Sequence, residues 1–270
     1  MKKALVTGGA GFIGSHLAHG LLENHYSVVV LDNESTGFRK NVPEDACYIK
    51  GDVQNKSDVQ KAFSKGIDVV FHVAGQASTI KSFHDPLSDL RTNLMGTVNV
   101  LQMCLEMKVP RILFASSMTC YGNPEKVPTT EDHPCLPISY YGITKYAAER
   151  YVHATAARND LDFDFDATSW ITSINNLGAF GQVFNLGTGT GLSINRLVDL
   201  ILQSNGKDRS NYPISHSPLR PGDQRHMKGD ITKAKAILDW APVTQLEKGM
   251  QKTLQWAKAH WQETRRAGHL

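Results

Sequence analysis

The stretch Lys2-Lys3-Ala4-Leu5-Val6-Thr7-Gly8-Gly9-Ala10-Gly11-Phe12-Ile13-Gly14-Ser15 constrains this chain more than any other. An apolar, β-branched run stops at glycines, and a helical pattern starts directly behind them. Glycines permit a tight turn and the close approach of backbone to a pyrophosphate. The following helix offers unpaired N–H groups and the positive end of its dipole. Gly9-Ala10-Gly11-Phe12-Ile13-Gly14 fits G-x-G-x-x-G, and Gly8, Gly11 and Gly14 fit G-x-x-G-x-x-G. Either match is weak alone. A strand before, a helix after and an acidic residue at the end of the next strand supply the context that gives it weight. That acidic residue is Asp32, 18 positions after Gly14 and directly behind Ser27-Val28-Val29-Val30-Leu31. A carboxylate there accepts two hydrogen bonds from an adenosine ribose and repels a 2′-phosphate. Asn33 and Glu34 follow, with no Lys or Arg before Arg39, so NAD is favoured over NADP. The plain alternative is that Asp32 merely caps a loop.

Strand and helix patterns alternate behind this turn. Strands are predicted at 3–7, 27–31, 46–50, 67–73 and 110–115, and helices at 12–24, 55–64, 86–107 and 140–157. Such alternation predicts an α/β fold, a doubly wound parallel sheet of the Rossmann type with right-handed crossovers. Ligands bind such sheets beyond the carboxyl ends of the strands. Asp52-Val53, Ala74-Gly75-Gln76 and Ser116-Ser117 each follow a predicted strand. After residue 180 the texture changes. Gln182 to Gly187 reads as a short strand and turn, Arg220-Pro221-Gly222-Asp223 as a loop, and 193–204, 231–238 and 245–260 as helices. The last helical region carries Trp256, with Trp261 just beyond, and both read as core or lid packing. The expected division is an NAD-binding domain over 1–160 and a small, shortened C-terminal α/β substrate lobe over 161–270.

Composition narrows the function classes. A net charge of +3 with no basic run longer than two residues gives no argument for nucleic acid. No apolar stretch approaches the ~18–20 residues of a membrane span. The first strand starts at once, which argues against a signal peptide. Cys47, Cys104, Cys120 and Cys135 show no metal-like pairing and read as free thiols of a cytoplasmic protein. His16 and His19 stand at i, i+3, but no third ligand is near them in sequence, so no metal is expected.

Tyr141-Gly142-Ile143-Thr144-Lys145 places a Tyr and a Lys at i, i+4, on one face of a predicted helix. Ser139 is the candidate cap, with Pro137 ending the loop before it. A free Tyr, with a pKa near ~10, is a poor base at neutral pH. An ammonium about 5 Å away at an effective dielectric of ~20 favours the phenolate by roughly 3 kcal/mol, and an oxidised nicotinamide would add a second positive charge. Burial opposes both. A Tyr so tuned takes the proton of a sugar hydroxyl while hydride leaves the same carbon, with Ser117 bridging the two hydroxyls. Tyr-x-x-x-Lys is common and idle in most helices. Its place behind a dinucleotide fold and behind Ser116-Ser117 is what gives it meaning.

With these residues the chain resembles the extended short-chain dehydrogenase/reductases, in particular the NAD-dependent nucleotide-sugar epimerase/dehydratase group and, within it, the UDP-glucose (UDP-galactose) 4-epimerases. The resemblance rests on Thr7 to Gly14, Leu31-Asp32-Asn33 with Ser35-Thr36-Gly37, Gly51-Asp52-Val53, His72-Val73-Ala74-Gly75-Gln76, Asn93-Leu94-Met95-Gly96-Thr97, Ser116-Ser117 through Tyr121-Gly122, Tyr141 to Lys145, Phe184-Asn185-Leu186-Gly187 and Arg220 to Asp223. It implies Tyr141 as base, Lys145 as the ribose-binding residue that lowers its pKa, and Ser117 as third member. It implies Asp52 and Val53 at the adenine. It places Phe12, Ile13, Asn33, Ser35, Thr36, Gly37, Val73, Ala74, Gly75, Gln76, Asn93 and Ser116 at the cofactor. Asn185, Arg220 and Asp223 are implied at a UDP-sugar. It also implies a homodimer through helices 86–107 and 140–157.

Sugar dehydratases of the group need an extra acid/base pair behind the catalytic Thr, and decarboxylases usually carry Glu there. Ser117 is followed by Met118-Thr119, which suits the smaller demands of C4 epimerisation. A dehydratase, reductase, decarboxylase or a non-catalytic NAD-binding protein are the alternatives. One departure stands out. Only 38 residues separate Lys145 from Phe184, dozens fewer than in related enzymes. The alternating run Asp160-Leu161-Asp162-Phe163-Asp164-Phe165-Asp166 is read as an edge strand leading through Ala167-Thr168-Ser169 into a helix over Trp170 to Asn176. Either the chain is genuinely shortened here, or a flexible substrate loop is missing between residues that the numbering joins. The second reading suits the usual mobility of such loops.

Overall fold

Among the described residues seven stretches form strands, each carrying at least one β-branched or aromatic residue. A computed structural model describes residues 1–159, 161–165, 170–174 and 176–260. The strands are β1 (Lys3–Thr7), β2 (Ser27–Asp32), β3 (Cys47–Lys50), β4 (Val69–His72), β5 (Arg111–Phe114), β6 (Asp162–Phe165) and β7 (Gln182–Val183). They make one sheet, β3-β2-β1-β4-β5-β6-β7, and every pairing is parallel. The chain builds outward from β1 to β3, then returns past β1 to start β4. That reversal leaves a crevice between the carboxyl ends of β1 and β4, where such sheets take ligands.

The helices are α1 (Phe12–Glu23), α2 (Lys56–Phe63), α3 (Thr79–His84), α4 (Pro86–Leu90), α5 (Gly96–Glu106), α6 (Tyr140–Arg158), α7 (Trp170–Ser173), α8 (Ile194–Gln203), α9 (Thr232–Leu238) and α10 (Leu246–Ala259). Period-two alternation splits the strands between two cores. Leu5, Val29 and Leu31 face α2, α5 and α6 through Val59, Phe63, Val100, Ala148 and Val152. Ala4, Val6, Val28 and Val30 face α1 and α7 through Leu17, Leu21 and Trp170. Each fully buried large side chain contributes roughly 1.5–3 kcal/mol. Trp170 is the largest, wholly enclosed, with its ring 5.9 Å from Phe71. A small third cluster joins Phe184 to Ala234 and Leu238 in the C-terminal lobe.

Three expectations change. The helix over 86–107 is broken: Arg91–Met95 is a π turn between α4 and α5. One extra residue in that turn rotates Asn93 into the interior, where it is 1% exposed. The Asp/Phe run is not an edge strand. β6 lies inside the sheet, bonded to β5 on one side and β7 on the other. The helix over 170–176 is a single turn, Trp170–Ser173. Asp160, Asp166-Ala167-Thr168-Ser169 and Trp261 lie outside the described residues. Trp256, 38% exposed, packs against Phe38 and His260. The four cysteines are free, and among the described residues no helix is long and apolar enough to cross a membrane.

Candidate active site

The glycine turn folds as its sequence demands. Gly8 has φ +72°, a region costly for any residue with a Cβ. A Cβ on it would stand 2.8 Å from the Ala74 backbone. A Cβ on Gly14 would meet the Gly8 carbonyl, and one on Gly37 would stand 2.6 Å from Ala10. Gly11 caps α1 with no side chain, so the first-turn N–H groups keep their free valence for a ligand. Gly8, Gly11, Phe12, Ile13 and Gly14 form one wall of a cavity of about 280 Å³. Asp32, Asn33, Ser35, Thr36, Asp52, Val53, Val73, Ala74 and Gly75 complete it. This cradle, which a Cβ would fill, fits a dinucleotide pyrophosphate.

Asp32 ends β2 beneath the turn. Ala10 N–H donates to its Oδ2 at 2.9 Å and Glu34 N–H to its Oδ1 at 2.7 Å. Each oxygen keeps a lone pair for a ribose hydroxyl. Burial raises the Asp32 pKa, the two N–H groups pull it back, and Glu34 and Asp52 add to the rise. Asn33 Nδ2 donates to Asp52 Oδ2 at 2.7 Å, tying the ends of β2 and β3 at the rim.

Ser139 caps α6 by accepting from Gly142 N–H at 3.0 Å, as predicted. The helix thereby presents Tyr141 and Lys145 toward the ends of β4 and β5. Burial raises the Tyr141 pKa above its ordinary value, and Ser117, just beyond β5 and accepting from Thr119 Oγ1 at 2.8 Å, opposes the rise without cancelling it. The expected tuning of Tyr141 toward neutrality is therefore not supplied by the protein alone. Lys145 is buried, with Nζ 4.2 Å over the Phe114 ring, and burial lowers its pKa to about 8 against the pull of Cys120, Glu149 and Asp89.

Several of the residues expected at the ligands also have partners within the protein. Gln76 spends its amide on Asp89 Oδ1 (2.7 Å) and Ser78 O (2.9 Å). Asn93 Oδ1 accepts from Gln76 N–H, and its Nδ2 lies 3.1 Å from Asp89 Oδ1 and 3.2 Å from Thr144 Oγ1. Gly37 supports the turn from behind. Ser116 Oγ donates to Glu149 Oε2 at 2.6 Å and, with Ser117, lines a second cavity of about 150 Å³. Asn185 lines that cavity too, though Tyr121 donates to its Oδ1 and its Nδ2 donates to Thr129 O. Arg220 and Asp223 pair with each other at 3.1 Å on an exposed loop. Gln224 anchors that loop to the turn behind Ser117 through Met118 O and Gly122 O. Asp89, Glu149 and Gln224 were not singled out in the sequence, since nothing local marks a carboxylate or amide that will be enclosed.

Burial raises the Glu149 pKa above 4.5, against a lowering by Ser116, Arg150 and Lys145. The folded state thus holds this proton more tightly than the unfolded one. The stability associated with it is full at acid pH and is lost as pH rises through the folded pKa. Glu149→Gln keeps an acceptor for Ser116 and removes the charge. It should raise the midpoint of thermal unfolding at pH 8 and leave it nearly unchanged at pH 4. A lower midpoint at pH 8 would contradict this account.

Residues 4–179 match the family described as NAD dependent epimerase/dehydratase family. The UDP-glucose 4-epimerase of Lactobacillus helveticus is 29% identical over 325 residues, covering 96% of this chain and 98% of that protein. Since 96% of 270 is about 259, roughly 66 of the 325 aligned positions have no residue here. The crystal structure of UDP-glucose 4-epimerase with UDP-glucose from Thermotoga maritima matches with a TM-score of 0.88 at 29% identity, over 96% of this chain and 99% of that one. The Thermus thermophilus UDP-glucose 4-epimerase, solved with NAD, gives 0.83 at 28% identity, over 92% and 96%.

Proposed function

The chain belongs to the NAD dependent epimerase/dehydratase family, and we propose that it epimerises a UDP-hexose at C4 with NAD as cofactor and Tyr141 as base. The observation that carries this reading is the placement of Tyr141 and buried Lys145 one turn apart on α6, with Ser117 acting on the phenol and Lys145 next to Gly75 of the glycine cradle. The residues lining the cradle would hold NAD, with Asp32 on the adenosine ribose. Bound there, NAD supplies a reversible hydride acceptor. Tyr141 Oη takes the proton of the C4 hydroxyl and later returns it. Ser117 Oγ bridges the two oxygens, and Lys145 opposes accumulation of negative charge. Ser117, Tyr141, Asn185, Arg220 and Asp223 are the residues we assign to the UDP-sugar. The cradle and the Tyr141 helix lie within 1–160, and the lobe over 161–270 is assigned the nucleotide-sugar.

Incubation with UDP-glucose, UDP-galactose and their N-acetyl forms, followed by sugar analysis, tests the proposal. Interconversion without net NADH is expected. Net NADH formation or consumption would point to another reaction of the scaffold, and activity indifferent to Tyr141→Phe would remove the base assignment.

The same reading favours a cytoplasmic homodimer. Leu87, Met95 and Leu105 on the α4–α5 segment and Ile143 and Tyr151 on α6 are large apolar side chains left exposed. A two-fold pairing of these adjacent helices buries both stripes. Ile143→Glu with Tyr151→Glu should convert a dimer to a monomer in sedimentation analysis. A wild-type monomer at micromolar concentration would refute the pairing.

A further inference from the structure

His72, the last residue of β4, is fully buried and has no part in the proton transfer above. Its ring joins two hydroxyls: Thr7 Oγ1 lies 2.7 Å from Nδ1, and Thr97 Oγ1 lies 3.0 Å from Nε2. Each hydroxyl has a second partner. Ala74 N–H donates to Thr7 Oγ1 at 3.2 Å, and Thr97 Oγ1 donates to the Asn93 carbonyl at 2.6 Å. Proton counting then assigns the direction of the whole chain. A hydroxyl has one proton. Thr97 gives its proton to Asn93, so it accepts from His72 Nε2–H. Nδ1 is left as an acceptor, and Thr7 donates to it. An imidazolium would aim a second N–H at Thr7 and leave the Thr7 proton without this acceptor. Burial, with the charge of Lys145 behind it, holds the ring pKa down at about 3.

The relay closes a ring with the Asn93 side chain. Gln76 N–H donates to Asn93 Oδ1 at 2.8 Å, and Asn93 Nδ2 donates to Gln76 O at 3.1 Å. The loop behind β4 is therefore held at Gln76 by Asn93 of the π turn and at Ala74 by Thr7 of β1, which His72 and Thr97 link to the Asn93 carbonyl, with Gly75 between the two grips. A Cβ on Gly75 would stand 3.0 Å from Asn93 Oδ1 and 4.0 Å from Lys145 Nζ. We propose that His72 is a positioning residue: as the neutral Nε2–H tautomer it locks the loop of the cofactor cavity to the π turn, and so sets where Gly75 stands against Lys145. The inference rests on the reading of that cavity as the NAD site.

Near-isosteric changes test it. Thr97→Val deletes the relay hydroxyl and should weaken NAD binding, read by calorimetry, about tenfold. It should also lower kcat while leaving KM for the sugar nucleotide in place. Thr97→Ser keeps the hydroxyl and should restore both within about twofold. Thr7→Val combined with Thr97→Val should be little worse than the poorer single variant, because the chain acts as one unit. Nitrogen NMR of the unaltered protein should show His72 protonated at Nε2 alone, without titration between about pH 5 and 9. NAD binding equal in Thr97→Val and wild type, or a ring protonated at Nδ1, overturns the relay. Failure of the unaltered protein to bind NAD overturns the cofactor reading instead, and the NMR result still decides the relay.

Discussion

Tyr141→Phe should cost the enzyme roughly 10²–10⁴-fold in kcat, the range that a positioned acid/base contributes. The ring stays, and only the hydroxyl is lost. NAD affinity and the unfolding midpoint should therefore move little. The deprotonated phenol is the active form, so activity rises with pH through its pKa. Burial lifts that pKa in the free protein, with Ser117 opposing and with Cys120 and Asp89 adding to the rise. A cationic nicotinamide nearby would act in the opposite direction. The acid limb of the kcat profile should accordingly lie below the phenol pKa measured without cofactor. Coincidence of the two would remove the cofactor from the tuning of Tyr141.

Gly8→Ala should reduce NAD affinity at least about a hundredfold, equal to some 2.7 kcal/mol. Two costs act together. An L residue at φ +72° is strained by roughly 1–2 kcal/mol. Its Cβ also stands 2.8 Å from Ala74 N and Cα, so the turn or the loop behind β4 must shift, and both line the cavity. Gly66 provides the control. It has φ +75° with nothing within 4 Å of an added Cβ. Gly66→Ala should share the loss of unfolding midpoint from strain, at roughly 2–4 °C per kcal/mol for a chain of this size, yet bind NAD normally. Equal NAD affinity in folded Gly8→Ala and wild-type protein would remove the glycine turn from the binding site.

The features legible in the sequence are those written over short spans of chain. The strand, glycine turn and helix from Lys3 to Glu23, the acidic end of β2 at Asp32, and Tyr141 with Lys145 on one helical face all follow from local spacing. Such patterns survive because backbone geometry converts them directly into a turn, a strand end or a helix face. The interior place of β6 was not legible. A four-residue Asp/Phe run alternates as an edge strand would, and only the arrival of β7 on its far side encloses it.

The sequence by itself determined that this chain winds a parallel sheet around a glycine-lined crevice, and which Tyr and Lys share one face of a helix. Tertiary structure alone decided the electrical state of those groups and the framework that holds them. His72 meets Thr7 across 65 residues and Thr97 across 25, and Asp89 meets Thr144 across 55. Those pairings fix the donors, acceptors and tautomer around the site. Desolvation lifts Tyr141 and lowers Lys145 because packing on every side removes water from them. Helix face and turn type depend on neighbours along the chain, whereas hydrogen-bond partners and dielectric surroundings depend on neighbours in space.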